Sequence, residues 1–295
     1  MSLESITLNN IHFGNTFNVW KGSDSTGLFS EQFMPENEVQ SESVLGQNGA
    51  YFFNQIYKPR VFNIPLFGEH LTKDMIKKLQ QTLSFNTPKK LIYDTSPHKF
   101  IWVNINGEID WRYVWTQDKY YNDLYNVLFE LPLIALDPFY YSYYTSLDNY
   151  DYYNDIHSVF AQEAMDFGNK GIPSNIITNI TSGTNFDIYN HGNMEAQLII
   201  GLKGSGKNIN IINNNTSKQC IISNMVNEGI LINGQKGQIT DGEIVNGQII
   251  NVHSLKTGLF DGDFIELQSG YNNFSITGTD LDLQSVSFLF RHTYI

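Results

Sequence analysis

Leu71-Thr-Lys-Asp-Met-Ile-Lys-Lys-Leu-Gln-Gln-Thr-Leu-Ser-Phe85 is the stretch whose apolar residues recur most clearly at helical spacing. Met75, Ile76, Leu79 and Leu83 fall on one face, and Lys73, Lys77 and Lys78 occupy the other side. Thr72 is placed to accept the hydrogen bond of an orphan backbone N–H at the helix start, and Asp74 sits in the first turn, where the helix dipole favours a carboxylate. Asn86-Thr-Pro88 stops the pattern, because proline cannot continue the hydrogen-bond ladder. The reading is a helix over 72–85 that covers one face of a sheet.

Around this helix the period falls to two. Residues 5–12, 49–57 and 61–67 each alternate as strands do. Residues 28–43 are polar and acidic, a mixture of strand and loop. After the helix come strand patterns at 90–94, 99–104, 110–116 and 125–131, with a turn at Pro97-His98 and a hairpin expected at Asn106-Gly107. The first half thus reads as three strands, a helix and further strands: an N-terminal β-barrel or sandwich domain with one helix over 1–140.

Residues 139–153 form a tyrosine-rich tract, and ten of the 17 tyrosines lie between Tyr120 and Tyr153. Tyrosine offers a large rigid contact area with a polar tip, which suits interfaces. Tyr140, Tyr141, Tyr143 and Tyr144 are therefore the candidate residues of an oligomer or partner interface. The competing reading is a last strand and linker at the junction of two domains. Residues 141–173 read as a linker or arm, with a short helix over 155–167.

From 174 to 295 short apolar alternations recur between Gly and Asn signals: 175–181, 186–189, 195–200, 208–212, 219–223, 229–232, 244–252, 263–267, 273–277 and 285–293. Ten or so brief strands with regular turn signals predict an antiparallel β-sandwich. The fold class is mainly β throughout.

Composition narrows the function. The chain has 295 residues, enough for two domains that each bury a core. Aromatic residues make up 14% and charged residues only 16%, and 33 residues are Asn. Neutral polar groups cost less to desolvate than charges, so such a surface tolerates broad protein contacts. The net charge of −12 argues against nucleic-acid binding driven by counterion release. No run of about 18 apolar residues marks a membrane span, and the N-terminus lacks the charged and apolar regions of a signal peptide. Cys220 is the single cysteine, which excludes an intrachain disulfide and a thiolate metal cluster. Synthesis in a reducing cytoplasm is the expectation.

No motif points to catalysis, a cofactor or a metal. Gly201-Leu-Lys-Gly-Ser-Gly-Lys207 approaches a phosphate-binding loop, but Asn208 stands where Ser or Thr would bind magnesium, and a strand pattern follows instead of a helix. A hairpin turn is the reading there. The seven histidines show no ligand spacing, and Asp261-Gly-Asp263-x-x-Glu266 lacks the other oxygen donors of a calcium loop. It reads as a solvated turn entering a strand, and Cys220 as a small core residue.

The order of parts resembles the distal tail protein (Dit) family of long-tailed phages. The resemblance rests on the 71–79 helix followed by Lys90-Leu-Ile-Tyr-Asp-Thr-Ser-Pro-His-Lys-Phe-Ile-Trp-Val-Asn104, and on closure at Leu136-Asp-Pro-Phe-Tyr-Tyr-Ser142. It extends to Tyr189-Asn-His-Gly-Asn-Met-Glu-Ala-Gln-Leu-Ile-Ile-Gly201 and Gly270-Tyr-Asn-Asn-Phe-Ser-Ile-Thr-Gly278. Family members often carry proline where Gln197 stands. The resemblance implies a galectin-like (jelly-roll) sandwich over 174–295 and a homohexameric ring at the tail tip or baseplate of a virion. It also implies a tail tube protein, a hub protein and a receptor-binding protein as partners. A carbohydrate-binding or host-adhesion module is the alternative, weakened because Trp20, Trp102, Trp111 and Trp115 all lie in the first half. An enzyme is the third class, and no acid pair or metal set supports it.

Overall fold

A computed structural model describes residues 4–22, 34–42, 51–115, 124–143, 145–146, 176–245 and 248–295. The 155–167 helix and most of the tyrosine-rich arm lie outside these residues. The chain divides into two compact units, Met1–Tyr141 with Ile295, and Ser142–Tyr294. Strand dominates both, in curled antiparallel sheets, as the alternating patterns required.

In unit 1 the strands are β1 (Ile6–Leu8), β2 (Ile11–His12), β3 (Val19–Lys21), β4 (Asn37–Glu42), β5 (Tyr51–Tyr57), β6 (Arg60–Leu71), β7 (Lys89–Tyr93), β8 (Lys99–Ile105), β9 (Trp111–Trp115), β10 (Tyr125–Ala135) and β11 (Tyr140–Ser142). The main sheet runs β2-β1-β7-β8-β10-β6-β3, with β9 added to β10. Its longest pairing sets β6 against β10, from Leu71 opposite Tyr125 to Arg60 opposite Ala135. Along β6 the inward set is Phe62, Ile64 and Leu66, while Val61, Asn63, Pro65 and Phe67 point the other way. β4 and β5 form a separate two-stranded ribbon.

The predicted helix is α2 (Lys73–Leu83), the second of two helices among the described residues of unit 1. Thr72 accepts the Met75 N–H at 3.2 Å, and Ile76, Leu79 and Leu83 are buried in the core with Leu66, Val127 and Leu131. The other helix, α1 (Phe13–Phe17), is one that the sequence reading missed. It is too short for periodicity to reveal, and it exists because His12 caps it and Phe13 and Phe17 enter the core.

Two local expectations are corrected. Residues 5–12 are not one strand: Asn9 and Asn10 take left-handed φ values of 54° and 65° and turn β1 back into β2. Asn106-Gly107 is not a hairpin. β8 and β9 both run antiparallel to β10, opposite Leu133–Ile134 and Tyr125–Phe129 respectively. The pair therefore marks a break between two segments that share a direction, and the Asn106 N–H donates to the Pro132 carbonyl at that break.

Unit 2 contains β12 (Ile176–Ile180), β13 (Thr184–Asn190), β14 (Ala196–Gln197), β15 (Ile199–Asn213), β16 (Lys218–Asn233), β17 (Gln238–Asp241), β18 (Glu243–Val245), β19 (Gln248–Ile250), β20 (Phe260–Gly262), β21 (Glu266–Leu267), β22 (Gly270–Leu289) and β23 (Thr293–Tyr294). The principal sheet runs β12-β22-β15-β16-β17, with β13 on β22 and β20 on β16. Several of the short strands predicted here belong to three long ones: 219–223 with 229–232 in β16, 273–277 with most of 285–293 in β22, and 208–212 with only the last two residues of 195–200 in β15, since Ala196–Gln197 is the separate β14.

Residues 214–217 and 234–237 are the turns the Gly and Asn signals predicted, but other such signals mark bulges. Asn208, Asn227 and Asp280 have φ values of 48°, 46° and 50°, and the β15 registers shift beside Gly204 and Lys207. These irregularities lie side by side across β22, β15 and β16. Each bulge bends its strand and changes which residues face inward. In β15 the buried set passes from Ile200 and Leu202 to Ile209 and Ile211, and all four belong to one core with Phe274, Ile276, Val286 and Phe288. The sheet must fold over at the seam for both halves to reach that core. The loop expected at 201–207 is thus strand interior. Gly204 has φ 136°, and a Cβ there would lie 2.3 Å from the Asp282 carbonyl oxygen, so close backbone approach explains the glycine.

Candidate functional site

The tyrosines singled out from sequence occupy different environments. Tyr140 packs its ring 5.1 Å from the buried Arg60 guanidinium. Tyr141 donates its hydroxyl to Asp137 Oδ2 at 2.5 Å and lies 5.9 Å from the Phe100 ring. Burial, and then the bond to Asp137, raise its phenol above the ordinary tyrosine range. Both rings are half-buried within unit 1. Tyr143 is exposed, and its carbonyl accepts from Arg291 Nη1 in unit 2. Tyr144 lies outside the described residues.

Unit 1 brings together a serine, a histidine and an aspartate that sequence spacing did not connect. Asp94 Oδ2 accepts the Ser5 N–H at 2.8 Å, and Asp94 Oδ1 is 3.1 Å from His12 Nε2. His12 Nδ1 accepts the Asn15 N–H at 3.0 Å, which assigns the ring proton to Nε2 and makes that nitrogen the donor to Asp94. A nucleophilic serine needs a basic nitrogen within reach of its hydroxyl. Here the buried Ser5 Oγ donates to the Val19 carbonyl and accepts from the Gly14 N–H, both at 2.8 Å. The cluster ties β1 to β7 and caps α1; it does not activate a hydroxyl.

A second cluster lies at one end of unit 2. The His191 and His292 rings are 4.9 Å apart, edge to face. His292 Nδ1 accepts the His191 N–H at 3.1 Å, and the His292 N–H donates to Ser142 Oγ. Asn190 donates to the Met194 carbonyl and accepts the Gly192 N–H, which fixes its amide. Burial lowers the pKa of His191 to about 4 and that of His292 well below its ordinary value. Both rings are therefore neutral; the backbone N–H of His292 holds Ser142, and Ser146 bonds to the Phe288 and Phe290 carbonyls, which ties both serines to the end of β22 and the residues after it.

Among the described residues no group of three or more His, Cys, Asp or Glu side chains is arranged to hold a metal ion. Glu266 pairs with Lys218 at 2.7 Å, and Lys207 of the phosphate-loop look-alike pairs with Asp280 at 3.0 Å. Cys220 is buried, and desolvation pushes its thiol up to about 12, far from a thiolate at neutral pH.

The exposed features are of another kind. Every residue of β4 is exposed, and the β4–β5 ribbon presents Val39, Phe53 and Ile56 to solvent at 54%, 64% and 44% exposure. In unit 2 the β18–β19 ribbon and the following segment expose Val245, Ile249, Val252 and Leu255. Exposed apolar side chains gathered on a ribbon are of the kind that contacts between macromolecules cover.

Residues 16–112 match the model of a phage tail protein RIFT-related domain. The whole chain is similar to the SPP1 Dit protein, described as a paradigm of the hub adsorption apparatus in phages that infect Gram-positive hosts. That likeness has a TM-score of 0.57 at 12% identity and covers 100% of both chains. A chain of the phage P2 baseplate in its activated conformation is similar over 99% of this chain and 98% of its own, at 8% identity and a TM-score of 0.44. No curated protein matches the sequence. The likeness to SPP1 Dit shows the fold: two β units of the Dit kind.

Proposed function

We propose that this chain is a structural protein of a phage tail tip or baseplate. In this role it forms a ring that joins the tail tube to the hub and host-binding proteins. The observation that carries the reading is the coincidence of a phage-tail domain match inside unit 1 with a Dit-like architecture over the full length. Closed rings are built from head-to-tail interfaces. A sparsely charged surface with exposed apolar ribbons suits such contacts, because few ions are left buried without partners. The Ser5–His12–Asp94 and His191–His292 clusters are held by backbone bonds, which supports an assembly role over a catalytic one.

Light scattering on the purified protein, together with negative-stain images, tests the ring. A six-fold annulus about one tail diameter across is the expected result. Gold-labelled antibody against this chain should bind the tail end distal to the capsid in intact virions. Its absence from purified virions would overturn the proposal.

A further inference from the structure

We infer that Asn106–Gly107 is a site of spontaneous covalent modification, where the asparagine amide is lost and an aspartyl or isoaspartyl link remains. The inference is independent of the tail reading. The sequence holds four Asn–Gly pairs, and two of them, Asn106–Gly107 and Asn233–Gly234, lie among the described residues. Such pairs are labile, because glycine leaves the attacking backbone nitrogen unhindered. The fold treats the two oppositely. Asn106, Gly107 and Glu108 are all exposed. The Asn106 backbone N–H donates to the Pro132 carbonyl at 3.0 Å, but among the described residues neither the Asn106 side-chain amide nor the Gly107 N–H has a hydrogen-bond partner.

At Asn233 both reacting groups are held. Its Oδ1 accepts the Lys236 N–H at 3.1 Å, and the Gly234 N–H donates to the Leu198 carbonyl at 2.9 Å. The reaction requires the nitrogen after asparagine to lose its proton and attack the side-chain Cγ. A new N–C bond closes a cyclic imide, and the amide nitrogen takes up the proton and leaves as ammonia. Water then adds to one of the two imide carbonyls and opens the ring, giving aspartate or isoaspartate. Nothing is oxidised or reduced, and water is the only co-reactant. At Gly234 ring closure has to break the bond to Leu198 and turn the Asn233 amide away from Lys236. At Gly107 it breaks no hydrogen bond of either reacting group.

The same place tolerates the product. β8 and β9 each take their own register on β10, opposite Leu133–Ile134 and Tyr125–Phe129. The link between them carries no ladder, so the extra backbone carbon of an isoaspartyl residue is absorbed there without moving either strand. The product also adds one negative charge beside the exposed Glu108 and Asp110, on a chain already at −12. The change therefore records the age of a molecule without unfolding it.

Tryptic peptide mapping by mass spectrometry tests the site in the full chain, aged in mildly alkaline buffer with and without guanidinium chloride. The four Asn–Gly pairs fall in four different tryptic peptides, so each is read separately. In the folded chain Asn106 converts at least about tenfold faster than Asn233, because the bond that holds Gly234 must break first. In denaturant the two rates converge. An isoaspartyl methyltransferase labels the Asn106 peptide of the aged chain, and Asn106→Gln abolishes that label. Aged wild type and aged Asn106→Gln unfold at the same denaturant midpoint by tryptophan fluorescence. An Asn106 amide that survives in the folded chain as long as that of Asn233 would overturn the proposal. A rate difference that persists in denaturant would assign it to local sequence and overturn the part given to the fold. A lower midpoint for aged wild type than for aged Asn106→Gln would overturn the absorption of the product by the link.

Discussion

β6 in unit 1 and β15 in unit 2 are both long strands, and they differ in how they present their core. β6 keeps one phase from Phe62 through Leu66, so simple alternation revealed it. β15 changes phase at Asn208, and alternation revealed only its two ends. The difference teaches that an interrupted pattern has two physical causes. The chain can reverse, as it does at Asn9–Asn10, or continue through a bulge, as it does at Asn208. Asparagine and glycine serve both, because both tolerate the left-handed backbone.

The contrast can be broken most strongly at the seam. Gly204→Val would place a branched side chain at φ 136° and against the Asp282 carbonyl, and should cost roughly 4 kcal/mol. Urea unfolding followed by far-UV circular dichroism measures it. Tryptophan fluorescence should stay nearly blind to the loss, because all four tryptophans belong to unit 1. A fluorescence midpoint that moves equally would mean that the two units unfold together.

The mirror experiment acts on the other unit. Leu79→Ala removes a fully buried side chain of α2 and should cost about 3 kcal/mol, now visible in tryptophan fluorescence. Asn208→Val should cost about 1 to 2 kcal/mol, whereas Asn208→Gly should change stability by less than about 0.5 kcal/mol. Equal losses in those two variants would show that the asparagine side chain, not its backbone conformation, holds the seam.

The smallest expected effect depends on pH. His191 and His292 have folded-state pKa values below the ordinary one, so the unfolded chain binds more protons. Their neutral packing stabilises unit 2 fully above the unfolded histidine value of about 6.5 and loses that contribution as pH falls toward 4. His292→Gln should flatten this slope in circular-dichroism unfolding between pH 7 and 4.5, leaving unit 1 unchanged. A slope that survives the substitution would assign the acid sensitivity to other groups.

The candidate surfaces were partly legible too. The tyrosine-rich tract drew attention by composition, yet Tyr140 and Tyr141 use much of their area on Arg60, Asp137 and Phe100 of the same unit. The acidic run around Glu38 and the lysines of α2 were both plain in the sequence.

By itself the sequence determined what near neighbours control: the period of each segment, the Thr72 cap with its helix, the single buried thiol, and the scarcity of charge. The tertiary structure decided everything that rests on distant pairing. It made bulges of Asn208, Asn227 and Asp280, because only strands held in register can absorb a residue without reversing. It also joined Ser5 to Asp94 across 89 residues and His191 to His292 across 101. Local propensity acts over one or two turns of chain, whereas closing such long loops requires the core that the whole fold supplies.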